Sequence, residues 1–303
     1  MTNPIFATEE AARAHLEAIR WPDGPVCPHC GGVDNSAKLE GKSTRPGLYK
    51  CRDCRKPFSV TVGTVFERSH VPLNKWLFAA HLMCASKKGV SAHQLHRMLG
   101  VNYRTAWFMA HRIREAMRDG NPGLMGGGGN AVVEIDETYV GGKAKNRKHR
   151  VPAKEAVVAL VERSGKVRSF HVANVTAKTL RPVIKQHVAQ SAYVMTDESP
   201  VYPATVAGRA HGTVNHSVEE YVRGHFWHTN TVEGYFSILK RGLTGIYHHV
   251  SPAHLHRYAA EFDFRFNERE ALGVNDKERT AKALKGIAGK RLTYRRTNVA
   301  QAS

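Results

Sequence analysis

Between His228 and Leu243 the side chains sort by face. At about 100° per residue, Asn230, Glu233, Ser237, Lys240 and Arg241 fall within an arc of roughly 100°, and Val232, Tyr235, Phe236, Leu239 and Leu243 cluster opposite. The pattern predicts an amphipathic helix docked on a core, with one acid and two bases turned outward. Upstream the period changes. "AVVEIDETYVGG" is short and β-branched and reads as a strand ending near Asp136. "EAVVALVER" and "VRSFHVA" read as a hairpin turning at Ser164–Lys166, "TAKTLRPVIKQHVA" as a helix, and "SAYVMTDES" as a strand with Asp197 at its end. A short helix, a short strand "GTVNHSV" and the amphipathic helix follow. The order β, β, β, α, β, α, β, α predicts a mixed sheet with helices on its faces, an α/β fold.

The first third reads differently. Thr8 can cap a helix over about residues 8–19. Asn74–Met117 turns helical: one helix closed by Gly89, then "SAHQLHRMLGVNYRTAWFMAHRIREAM" as helix, turn, helix. Ser91 caps the first of that pair, Gly100 and Val101 make the turn, and the second starts near Tyr103. Leu95, Leu99, Val101 and Trp107 are the expected core. The spacing is that of a helix-turn-helix, with Arg104, His111, Arg112 and Arg114 on or near the outward side. "DGNPGLMGGGGNA" separates this region from the strands as a linker. The chain therefore divides into a helix and cysteine-rich region (1–66), a helix-turn-helix segment (67–119), a Gly-rich linker (120–131), an α/β domain (132–270) and a basic tail (271–303).

Composition adds a partner. The chain has 303 residues and 42% hydrophobic content, enough for more than one core. Lys and Arg number 45 against 26 Asp and Glu, a formal charge of +19. Such an excess favours a polyanion, nucleic acid before a membrane surface. The longest apolar runs fall short of the roughly 20 residues a spanning helix needs. The N-terminus has early acids and no long apolar stretch, unlike a signal peptide. A cytoplasmic DNA or RNA partner is the expectation.

Four of the five cysteines lie in two Cys-x2-Cys pairs, Cys27/Cys30 and Cys51/Cys54. That spacing suits a four-thiolate structural zinc site, each pair forming one knuckle, with Tyr49, Phe58 and Val60 as strand residues of a zinc ribbon. Cys84 lies alone in an apolar stretch and reads as a buried thiol.

The acids supply candidate chemistry. If the first and fourth strands of the α/β domain lie side by side, Asp136 and Asp197 point into one crevice, and the amphipathic helix can bring Glu233 to it. Three carboxylates around a cleft suit two hard divalent cations, Mg2+ or Mn2+, of the kind that support phosphoryl transfer. Lys240 lies about 10 Å further along that helix, facing the same way, and could hold a phosphate. Glu134 points the same way as Asp136 and stays open as a ligand; Glu137 and Glu198 alternate away. The loop Lys143–Lys154 holds six Lys or Arg and no acid, and suits a phosphate backbone, with Lys143, Lys145, Arg147, Lys148 and Arg150 as contacts. Arg104, Arg112 and Arg241 are further candidate DNA contacts.

The segments "CPHC"/"CRDC", "VEIDETYVGGK", "VMTDES" and "HTNTVEGYFSILKRGLTGIYHHVS...LHRYAAEFDFRFNER" together resemble a DDE-type insertion-sequence transposase of the branch with an N-terminal zinc ribbon. The resemblance covers about residues 20–270 and implies a ribonuclease H-like catalytic domain. Its motif is two aspartates, then Asn or Glu, then Lys. Asp136 and Asp197 match the aspartates and Lys240 the lysine. Asn230 and Glu233 are both present for the third position; Glu233 is preferred for its charge and its seven-residue offset to Lys240. The implied activity is cutting and joining of DNA with two Mg2+ or Mn2+ ions and a structural Zn2+. The implied partners are the element's terminal inverted repeats, target DNA and a second or further copies of the chain, in a bacterial, nucleoid-associated setting. The rival readings are a non-catalytic DNA-binding regulator and a plain nuclease of the same fold.

Overall fold

The computed structural model describes residues 3–120, 122–128, 131–141, 154–163, 165–214 and 228–293, which divide into two compact units: residues 1–118 with 275–303, and 119–274.

The first unit opens with helices α1 (Pro4–Ala7) and α2 (Glu9–Arg20). The Thr8 hydroxyl accepts from the Ala11 amide and caps α2, as the sequence predicts. Strands β1 (Ser36–Lys38), β2 (Tyr49–Cys51) and β3 (Pro57–Phe58) form a small antiparallel sheet. Tyr49 and Phe58 stack at 5.7 Å, and both meet Trp21 edge-on, so the ribbon is seated by aromatic contact on the end of α2. Val60, expected in a strand, lies just past β3 but is buried. Helices α3 (Leu73–Ala85), α4 (Ala92–Leu99) and α5 (Tyr103–Met117) follow. Ser91 caps α4, Asn102 caps α5, and Gly100 makes the turn between them at φ +59°, a left-handed conformation that costs glycine little.

The C-terminal segment begins with a packed helix. After the Asn275/Glu278 capping box, α10 (Asp276–Lys285) packs against α3. Ala283, Leu284 and Ile287 are buried, and Arg279 donates to the Cys84 carbonyl at 2.9 Å. The basic residues of this stretch ride on a helix that completes the first unit's core.

The second unit is a mixed α/β layer structure. Strands β4 (Val132–Val140), β5 (Glu155–Glu162) and β6 (Val167–Val172) form an antiparallel meander. After helix α6 (Ala177–His187), strand β7 (Tyr193–Asp197) pairs in parallel with β4. After helix α7 (Val201–Thr205), β8 (Ala210–Val214) pairs in parallel with β7. The order across the sheet is β6-β5-β4-β7-β8. Helix α8 (Asn230–Gly242), a π-helical turn (Leu243–Tyr247) and α9 (Pro252–Asn267) close the unit.

β5 reads as an uninterrupted apolar run because it is covered on both faces. Ala156, Val158 and Leu160 join Val133, Ile135, Leu180, Ile184 and Tyr202 in the core under α6 and α7. Val157, Ala159 and Val161 join Val232, Tyr235, Leu239, Leu255 and Phe262 in the core under α8 and α9. Since Val133 and Ile135 point to the α6 side, alternation along β4 turns Glu134 and Asp136 toward α8. β4 does not end near Asp136 as its pattern suggests: β5 pairs with it as far as Val140. Among the described residues no helix is long and apolar enough to cross a membrane.

Candidate functional site

The first and fourth strands of the second unit do lie side by side. The register runs Val132↔Tyr193, Val133↔Val194, Glu134↔Met195. Two residues further along each parallel strand come Asp136 and Asp197, at the same level. Asp197 is half-buried, and its Oδ1 accepts from the Ser199 amide at 3.1 Å. The Asp136 carboxyl is pushed up to about 7. Burial is the largest cause; the Glu137 amide, donating to Oδ1 at 2.7 Å, pulls the other way, and the charges of Glu137, Asp197 and Glu233 push up again. Glu233 therefore reaches the same electrostatic neighbourhood from α8.

α8 has the two faces its sequence predicts. Asn230, Glu233, Ser237, Lys240 and Arg241 are exposed; Val232, Tyr235, Phe236, Leu239 and Leu243 are buried. Glu233 Oε1 accepts from the Thr229 hydroxyl at 3.0 Å, and Arg241 is turned back onto Ser237 at 2.7 Å. The charges of Asp197 and Glu233 both act on Asp136, and such a concentration of carboxylate charge is what a divalent cation would relieve. Carboxylate oxygens are donors of the type Mg2+ and Mn2+ take, but among the described residues the four cysteines, not these acids, stand as a gathered ligand cluster.

Glu134 and Glu137 take other parts. Glu137, on the α6 side, accepts from the buried Tyr202 hydroxyl. Glu134 is fully buried and spends both oxygens on protein donors, the α8 amides and Arg163 among them. That closes its reading as a metal ligand. Arg163 and Tyr202 escape the sequence reading because nothing in "VVALVER" or "SPVYPATVAG" marks them apart from ordinary strand-end and helix residues.

The cysteine pairs converge as their spacing predicts. The four sulfurs lie within 4.8 Å of one another, with Cys27–Cys54 at 3.7 Å and Cys30–Cys51 at 3.6 Å. Those contacts are too long for disulfides. Four sulfurs placed roughly 2.3 Å from one centre in a tetrahedron stand about 3.8 Å apart, so the cluster has the dimensions of a zinc site.

Of the candidate DNA contacts, Arg104 is exposed at the start of α5 and Arg241 on α8. Arg112 is not available. It is 8% exposed, donates to the carbonyls of Leu292 and Glu67 at 3.2 and 3.1 Å, and lies over the Phe108 and Trp76 rings. His111 and Arg114 are buried as well. The reason is geometric: α5 is exposed only at its first turn, and its later turns pass into the unit's core. Lys143, Lys145, Arg147, Lys148 and Arg150 lie outside the described residues.

The second unit is a mixed α/β domain with a five-stranded sheet, and the four-cysteine cluster of the first unit has the form of a zinc ribbon. Residues 126–267 match the ISXO2-like transposase domain and residues 7–57 the transposase zinc-ribbon domain. Both matches are to domains of transposases. The chain is also 29% identical over 279 residues to a protein described as an uncharacterized protein in transposable element ISH50 of Halobacterium salinarum, covering 86% of this chain and 91% of that one. Asp136, Asp197, Asn230, Glu233 and Lys240 all fall within the matched transposase domain, and the four clustered cysteines within the matched ribbon.

Proposed function

We propose that the chain is a transposase that cuts and joins DNA at the acids of β4, β7 and α8. The observation that supports the reading best is the register of β4 on β7, which sets Asp136 level with Asp197, with Glu233 close enough to act on Asp136. Asp136, Asp197 and Glu233 would hold two divalent ions, with Asn230 as the alternative third ligand. Bound there, the ions supply an activated attacking oxygen and stabilise the leaving one.

The reaction runs in two displacements. Water attacks the phosphorus at the element end; the bond to the 3′ oxygen breaks and leaves a free 3′-hydroxyl there. That hydroxyl attacks a target phosphorus, forming the new strand and releasing the target's own 3′-hydroxyl. Lys240, about 10 Å along α8 from Glu233, holds a phosphate of the substrate. Arg104 and Arg241 add contacts to the duplex. The zinc ribbon, with Zn2+ on Cys27, Cys30, Cys51 and Cys54, and the helix-turn-helix recognise the terminal inverted repeats. Joining two ends calls for two active sites, so the working form on DNA is a dimer or larger, in the cytoplasm at the nucleoid.

The test is strand cleavage and joining. The purified protein, with Mn2+ and a labelled duplex carrying the DNA that flanks its own gene, should give joined products, and Asp197→Asn should give none. Cleavage without joining would favour a nuclease. Binding alone would favour a regulator.

A further inference from the structure

We propose that Glu134 is a positioning residue that bolts the N-terminus of α8 to β4 and so fixes where Asn230 and Glu233 stand relative to Asp136. The inference rests on the reading of these acids as a divalent-ion centre.

A helix leaves its first amides unsatisfied, and its own N-cap side chain is the usual partner. In α8 that partner is diverted: the Thr229 hydroxyl donates to Glu233, and no cap bond forms from it. Glu134 replaces it from another element. Its Oε2 accepts from the amides of Thr231 and Val232 at 2.9 and 3.0 Å, and its Oε1 from the Thr231 hydroxyl at 3.0 Å. The side chain is 0% exposed. A carboxylate buried this deeply is tolerated only when it is paired. Arg163 does this, its Nε donating to Oε1 at 2.7 Å while its Nη2 donates to the His228 carbonyl at 2.7 Å. One arginine thereby ties the strand's acid to the residues leading into the helix. His228 Nδ1 lies 3.3 Å from the same Oε1.

The consequence follows from spacing. Glu134 and Asp136 share one side of β4, two residues apart. Thr231 and Val232 lie between Asn230 and Glu233. The clamp therefore joins the two ligand-bearing segments at the point where a small helix shift would move a ligand most. Charge also matters: a carboxylate favours the positive end of the helix, whereas a neutral amide in the same place turns its NH2 toward donors.

Glu134→Gln is the direct test, read by Mn2+ binding to the full chain through the electron paramagnetic resonance signal of free Mn2+. Outer partners of metal ligands cost about 10–100-fold in affinity when removed, and Glu134→Gln should weaken Mn2+ by about 10-fold or more. Thr231→Ala, which deletes one of the bonds, should shift affinity in the same direction by less, and decides the matter if Glu134→Gln fails to fold. Asn267→Ala removes a half-buried side chain that bonds the Val167 backbone on the β6 side, and serves as a control for lost stability alone. Its Mn2+ affinity should stay at the wild-type value. Wild-type affinity in Glu134→Gln and Thr231→Ala, or an equal loss in Asn267→Ala, would overturn the proposal. Absence of Mn2+ binding in the wild type would overturn the ion centre itself, and the positioning role with it.

Discussion

Asp197 stands across from Asp136 at the level set by the β4–β7 register, and its charge helps push the Asp136 carboxyl up to about 7. The sign has a consequence for pH. The ion-free folded protein keeps a proton that the unfolded chain releases near 3.8, so this group's contribution to stability is full below that value and is lost as pH rises through about 7. A divalent ion must displace the same proton. Mn2+ affinity should fall by up to about tenfold per pH unit below about 7 and level off above it. Asp197→Asn removes one of the repelling charges and should move the break to lower pH, while weakening binding overall. Mn2+ titration across the range from about pH 5.5 to 8.5 measures both, and a flat profile would count against the assignment.

The ribbon should depend on its metal. Its three strands are short, and the aromatic contact of Trp21 with Tyr49 and Phe58 is its main apolar seat. We expect one zinc per chain and its loss in Cys51→Ser, with Trp21 becoming accessible to a quencher as the ribbon opens. Metal analysis and fluorescence quenching check this. A ribbon that keeps its fold without metal would contradict it.

Arg104 and Arg112, eight residues apart on α5, should behave differently. Arg112→Ala strands two backbone carbonyls and removes two ring contacts, and should destabilise the first unit by about 2 kcal/mol or more. Its effect on DNA affinity should disappear once folded protein alone is counted. Arg104→Ala should leave the melting temperature unchanged and lower the salt dependence of DNA binding by a slope of about 1. Binding isotherms at several salt concentrations, beside thermal melts, separate the two.

The C-terminal helix should prove integral. A Cβ on Gly286 would run into the Ala116 carbonyl oxygen, a backbone atom with nothing flexible to give way. Gly286→Ala should cost on the order of 1–3 kcal/mol, as overpacking does. Deleting the segment from Asn275 should uncover the apolar seat of Leu284 and Ile287 and make the chain aggregate. A shortened chain that stays monomeric and melts at the same temperature would contradict the packing.

How much of this was legible in the sequence varied with the length scale of the cause. The faces of α8, the caps at Thr8 and Ser91 and the hairpin of β5 and β6 follow from local periodicity and capping chemistry. The cysteine cluster follows from spacing, because metal geometry restricts what lies between the pairs. The pairing of β4 with β7 was available as a topological condition, and the resemblance to transposases raised its weight. What stayed hidden is tertiary. Arg112 looks like a DNA contact until α5 is seen to run inward. The packing of α10 is hidden because its apolar positions are few. Glu134 looks like a fourth ligand because direction along a strand is readable and the partner that occupies it is not.

The most direct test of the central claim is a side-by-side count of joined products from wild type, Glu233→Gln and Asn230→Ala, with Mn2+ and the element's own end DNA. The account predicts that Glu233→Gln loses joining by more than about 100-fold, since even outer-shell partners of a metal cost ~10–100-fold, and that Asn230→Ala loses less. Undiminished joining by Glu233→Gln would contradict it and move the third ligand to Asn230.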